Sequence, residues 1–240
     1  MLILPVIFNL FTNMAAGNIN LLTLPDPCEA ARAGAAVATL TAKDSSFLHA
    51  VTQIKNAYQA SGNEHCISFG KDAGGNIIAS PLSNGSATSG KVPAMPNAFA
   101  DLHNHPNNLP PDAGDFYGLA QMNMINPGYS TRFALTKDGS LYALLVTDAE
   151  ALQTFIAKHP PQPPAFKGGP KGFAVAITDE AREMKYNYHC TDEMVLAFIL
   201  EKYNTGVCLL KQNSTGALNK IITTVTKNGD QLLYSVFNCR

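Results

Sequence analysis

The stretch Phe99 to Asp115, FADLHNHPNNLPPDAGD, constrains this chain more than any other. Two histidines stand at i, i+2 at the end of an apolar run, a proline follows them directly, and an aspartate returns later in the stretch. Phe99 to His105 alternates as a strand does, which puts Phe99, Asp101, His103 and His105 on one face. Pro106 has no N–H to give a neighbouring strand and ends the ladder. The turn residues Asn107 to Pro111 bring the chain back, and Asp115 then falls where a third ligand can meet the two imidazoles. Two nitrogens and one carboxylate leave a fourth position open, the catalytic rather than the structural arrangement of zinc. Iron or manganese would accept the same donors. There is also a reading without metal. A lone strand histidine is more often a hydrogen-bonded core residue than a ligand. Asp112, just after Pro110-Pro111, is a natural N-cap, and Asp115 lies in the first helical turn, where a carboxylate suits the dipole.

These residues resemble the metal motif of the JAMM/MPN metalloprotease family (the JAB domain) and of the related RadC-type proteins. That motif is H-x-H-P, a short loop, then S-x-x-D. His103, Asn104, His105 and Pro106 match its first part, and Asp115 matches the closing aspartate. The loop is one residue shorter than the usual pattern, and the family serine falls on Asp112. The resemblance covers roughly a third of the chain, Gly62 to Asp148. Most of the weight for metal ligation by His103, His105 and Asp115 comes from it.

The resemblance implies an α+β fold with a JAMM/MPN-like (cytidine-deaminase-like) mixed sheet flanked by helices. It also implies one catalytic Zn2+ and a general base taken from a glutamate on the first core strand. Glu64, which opens the stretch EHCISFG, fits that place; its alternative is a solvated strand-end glutamate. His65 would face the other side of the strand and is left out of the site. The implied chemistry is hydrolysis of a peptide or isopeptide bond by metal-activated water, with Glu64 taking a proton and returning it to the leaving amine. In the family the serine helps stabilise the developing oxyanion. An ionised Asp112 would repel that charge, so the role would pass to an amide of Asn104 or Asn107, or to a backbone N–H.

Composition narrows the alternatives. Seventeen basic and 18 acidic residues leave a net charge of −1, so the chain has no electrostatic footprint for nucleic acid. That argues against a metal-dependent nuclease, the reading that the letters HNH and the RadC likeness would otherwise suggest. With 46% hydrophobic and 15% charged residues, a sizeable core is expected. Five cysteines (Cys28, Cys66, Cys190, Cys208, Cys239) form no C-x-x-C pair, which excludes a cysteine zinc knuckle. Buried thiols are expected rather than a disulfide framework, with one or two bridges as the oxidising-compartment alternative. The start MLILPVIFNLF is too short to span a bilayer. It resembles a signal h-region but lacks a charged n-region, the first basic residue being Arg32. A cytoplasmic location is therefore favoured over secretion.

Along the chain, residues 1–61 hold the apolar start and two helices, Ala30 to Ala42 and one from Ser46 stopped by Gly62. Residues 62–158 form the metal-binding domain. It begins with strand His65 to Gly70, turn Gly74-Gly75 and strand Asn76 to Leu82, and continues through the HNH strand to a helix stopped at Asn126-Pro127. A hairpin at Asp138-Gly139 and a short helix, Asp148 to Ala157, complete it. Residues 159–172 are rich in proline and glycine and read as a linker. Residues 173–240 read as a small α+β extension. Its helix is broken near Cys190-Thr191, and two final strands, Lys220 to Thr226 and Gln231 to Phe237, meet at Asn228-Gly229. The expected partner is a protein or peptide substrate. A module of the same fold that binds metal or a partner without catalysis is the alternative, and Asp112 is the residue that favours it.

Overall fold

In the computed structural model, turn and cap residues set the limits of most elements, and the structure describes residues 26–164, 169–229 and 231–239. The apolar start, with its signal-like reading, lies outside them. Helix α1 (Glu29–Lys43) is followed by α2 (Ser45–Ser61), which Asp44 caps by accepting from Ser46 N–H. Gly62 ends α2 in the left-handed region at φ 70°, where a Cβ would be strained. Phe47, Ala50 and Ile54 form the buried stripe of α2.

Among the described residues the sheet has nine strands: β1 (His65–Lys71), β2 (Ile77–Ala79), β3 (Ser83–Asn84), β4 (Ala100–Asn104), β5 (Thr131–Leu135), β6 (Leu141–Val146), β7 (Val207–Gln212), β8 (Leu218–Asn228) and β9 (Gln231–Asn238). Their order is β2-β1-β4-β5-β6-β7-β8-β9, with β3 also on β1. Strand β2 is shorter than the pattern suggested, because Pro81 cannot donate to a ladder and the chain re-forms a separate pairing at β3. β4 and β5 are parallel, whereas every other pair is antiparallel. A parallel pair needs a crossover, and α3 (Ala113–Ile125) supplies it. The histidine motif therefore sits at the exit of β4 and the aspartate at the start of the crossover helix.

Helices cover both faces of this α+β sheet. Ala31, Phe47 and Ile54 from α1 and α2 pack on Ile67, Leu102, Phe133 and Ala143. On the opposite face, α3, α4 (Ala149–Lys158), α5 (Val175–Asn187) and α6 (Asp192–Lys202) pack on Leu144, Leu209 and Ile221. Alternation divides β6 cleanly: Ala143 and Leu145 face one helical layer and Leu144 faces the other.

Two expectations change. The segment after residue 172 does not stand apart as an appendage. β7 pairs with β6 over five residues, from Tyr142↔Lys211 to Val146↔Val207, so the one sheet runs on through β8 and β9. The Pro/Gly-rich stretch joins α4 to α5, and both helices feed the same apolar cluster. The cysteine reading is corrected in part as well. Cys66, Cys190 and Cys208 are buried free thiols, but Cys28 and Cys239 are bonded, with Cα atoms 5.6 Å apart. Sequence spacing gave no sign of that pair because the two cysteines are 211 residues apart. Among the described residues, no helix is long and apolar enough to cross a membrane.

Candidate metal centre

Three side chains predicted from the motif converge. The ligand atoms of His103, His105 and Asp115 all lie within 4.8 Å of one another. His103 is carried by β4, and His105 stands one residue past its end, held by its N–H to Leu135 carbonyl at 2.8 Å. Asp115 comes from the first turn of α3. Its Oδ1 is 2.9 Å from His103 Nε2, its Oδ2 is 3.2 Å from His105 Nε2, and the two Nε2 atoms are 3.0 Å apart.

The donor set fits a small divalent ion. Tetrahedral ligands at roughly 2.0–2.1 Å from zinc lie about 3.3 Å from one another. The measured separations of 2.9, 3.0 and 3.2 Å are close to that edge. His105 also has its ring oriented from behind. Nδ1 is 2.9 Å from the Leu109 carbonyl, which can only accept, so Nδ1 carries a proton and Nε2 is the nitrogen left for an ion to take.

Asp112 does what its sequence position suggested. Its carboxylate caps α3, accepting from Gly114 N–H at 2.7 Å and Asp115 N–H at 3.1 Å. Asp115 reciprocates, its Oδ2 accepting from Asp112 N–H at 3.0 Å, which completes a capping box. The Asp115 carboxylate thus closes the capping box and faces both rings.

Electrostatics follow from burial and these contacts. Burial alone would depress the His103 imidazole, but the carboxylates of Asp115 and Asp101 outweigh it and raise the group to about 10. His105 is raised in the same way, burial opposing and Asp115 prevailing. Burial would raise Asp115, yet the two imidazoles hold it well below the usual carboxylate range. A divalent cation can take the place of these ring protons as the counter-charge for Asp115.

A cleft of about 480 Å³ opens over the three residues, and Glu64 and Asp112 line it with them. Glu64 immediately precedes β1. Its backbone is fixed by Glu64 N–H to Ser86 carbonyl at 2.8 Å and by Gly85 N–H to Glu64 carbonyl at 2.9 Å. Burial raises its carboxyl, with the charges of His103 and His105 pulling the other way. Glu64 is thus half-buried at the edge of the cleft rather than fully exposed. A larger cavity, of about 940 Å³, lies beside the Cys28–Cys239 bridge and contains none of these residues.

Asn104 and Asn107 are not brought to the site. Asn104 is one residue out of phase with His103, and both ends of its buried amide are engaged. Oδ1 accepts from His65 N–H at 2.8 Å and Nδ2 donates to Asn63 carbonyl at 3.2 Å. Asn107 is exposed and spends its Oδ1 on Leu109 N–H within the turn. His65 points away as expected, its ring between Ser61 Oγ at 2.8 Å and Asn84 Oδ1 at 3.0 Å.

Sequence reasoning missed what lies behind the rings. Asp101 is fully buried and pairs with Arg132, its cross-strand partner on β5. Oδ2 accepts from Arg132 Nη2 at 2.8 Å, from Nε at 3.1 Å and from the Tyr129 hydroxyl. Arg132 Nη1 also reaches the Asp115 carbonyl at 3.3 Å. The guanidinium can pass beneath α3 because residue 118 is glycine: a Cβ there would lie 2.0 Å from Nη1. The signal for Asp101 was present in the alternation that set it on the face of His103.

No protein-family model, curated protein or solved structure matches the chain.

Proposed function

We propose that this chain is a zinc-dependent hydrolase of JAMM type that cleaves a peptide or isopeptide bond. The observation that carries the proposal is the convergence of His103, His105 and Asp115 under a cleft that also holds Glu64. The mixed sheet with helices on both faces and the H-x-H-P exit of a central strand support a JAMM/MPN-like fold. A zinc ion held by the three residues would polarise a carbonyl and lower the pKa of a water from about 16 to about 7. Glu64, half-buried and raised by burial, is suited to take a proton from that water at its carboxylate and return it to the leaving amine. Asp115 and the Leu109 carbonyl keep the His105 ring oriented, and Thr88 to Lys91 line the same cleft as Glu64. With neither Asn104 nor Asn107 lining the cleft, oxyanion stabilisation falls to the ion or to a backbone N–H.

One observation favours the non-catalytic reading. Asp112, where the family has serine, is committed to capping α3 and leaves an acidic group at the cleft. Zinc titration of stripped full-length protein separates the readings. Zinc at 100 times its Kd should stabilise the protein by about 2.7 kcal/mol, read from thermal unfolding, and His105→Ala should abolish the shift. Glu64→Gln should keep the zinc and the shift but lose turnover of a mixed peptide and lysine-isopeptide library. Zinc binding with no turnover in wild type supports the binding module, and no zinc response overturns both.

A further inference from the structure

Asp101 has one carboxylate oxygen with no hydrogen-bond donor although it is fully buried. A buried polar atom left unpaired is costly, and native interiors keep few of them. Every donor that Asp101 receives goes to Oδ2: two from Arg132 and one from Tyr129. Oδ1 is left facing Nδ1 of His103, 3.8 Å away. That is too long for a hydrogen bond, and a ring shift of about 1 Å would close it. On its other edge the same ring is drawn towards Asp115, 2.9 Å from Nε2.

We propose that Asp101 is the outer carboxylate of the metal centre, a positioning residue that accepts the Nδ1 proton of His103 and so leaves Nε2 bare towards the ion. The inference rests on the hydrolase reading's ligand set but not on its turnover. The two rings are then oriented from behind by different acceptors, His105 by the Leu109 carbonyl and His103 by a carboxylate. A carboxylate behind an imidazole raises its basicity as well as fixing its tautomer, and loss of such a partner commonly weakens metal binding 10–100-fold. Arg132 and Tyr129 hold Asp101 by the oxygen that His103 does not need. Their grip keeps Oδ1 aimed along the strand face, two residues from the ligand.

The test uses full-length protein and zinc alone. In zinc-loaded wild type, long-range 1H–15N NMR of the imidazoles should show His103 protonated at Nδ1 with a downfield, slowly exchanging proton, and Nε2 without one. Competition with a chromophoric chelator should show Asp101→Asn binding zinc 10–100-fold more weakly. Tyr129→Phe, which removes one donor from Oδ2 and leaves Oδ1 in place, should change affinity less than threefold. If Asp101→Asn does not fold, the wild-type NMR result decides. Zinc coordinated through His103 Nδ1, or equal losses in Asp101→Asn and Tyr129→Phe, would overturn the role of Asp101 while leaving the ligand set intact. Failure of wild type to bind zinc would sink both.

Discussion

Strands β4 and β5, which carry the candidate centre, and strand β7, at the other half of the sheet, are all largely buried, yet they bury different things. β4 and β5 enclose Asp101, His103, Asn104, Thr131 and Arg132. The buried part of β7 is Val207, Cys208, Leu209 and Leu210, with no charge among them. Most charges in this second half sit at its rim, as in Lys211–Glu193 at 2.6 Å and Lys185–Asp192 at 2.6 Å, whose side chains remain partly exposed; the exception is Lys220 on β8, which is buried and pairs with Glu201 at 2.8 Å. The desolvation penalty for a buried ion is several kcal/mol, and an apolar replacement is often neutral or stabilising. The buried stretch of β7, Val207 to Leu210, shows that a strand inside this sheet can be filled without ions. The charges in β4 and β5 are then best explained by what they orient.

The comparison can be broken at several points. The largest effect is expected for Arg132→Met, which leaves the Asp101 carboxylate buried without its counter-charge. It should destabilise the protein by about 3–5 kcal/mol in urea unfolding and weaken zinc binding with it. Leu200→Ala in the α6 core should cost about 2–3 kcal/mol through the cavity it leaves, with an unchanged zinc Kd in the folded protein. If it weakened zinc as much as Arg132→Met, the division into an orienting half and a packing half would fail. The smallest effect is expected for Lys185→Ala, whose pair with Asp192 is over a third exposed on both sides. It should change stability by less than about 1 kcal/mol, and the loss should shrink further in high salt.

Much of the site was legible because its grammar is local. Alternation through FADLHNH, the proline stop and the Asp112 cap each depend on residues a few positions apart, and each reappears in space. Glu64, expected at the opening of a strand, lies just before β1 and lines the cleft. The asparagine amides were misjudged because sequence does not say which way a turn side chain is spent. Helices α2, α3 and α4 and the Asp138-Gly139 hairpin followed their caps and turns, and α1 its run of alanines. β7 was missed for a physical reason: VCLL is buried on both faces, so it lacks the polar alternation that marks a half-exposed strand. Without it, the last residues read as a separate unit. The Asp101–Arg132 pair and the Cys28–Cys239 bridge depend on register and on distant chain ends, which no local pattern records.

That bridge turns nearly the whole described chain into a covalent loop, from the residue that precedes α1 to the one that follows β9. A protease that clips any turn inside the loop yields two pieces still tethered to each other. Nicked protein would therefore run as a single species until a reductant is added, and the severed ends would remain beside their partners long enough to re-form the sheet.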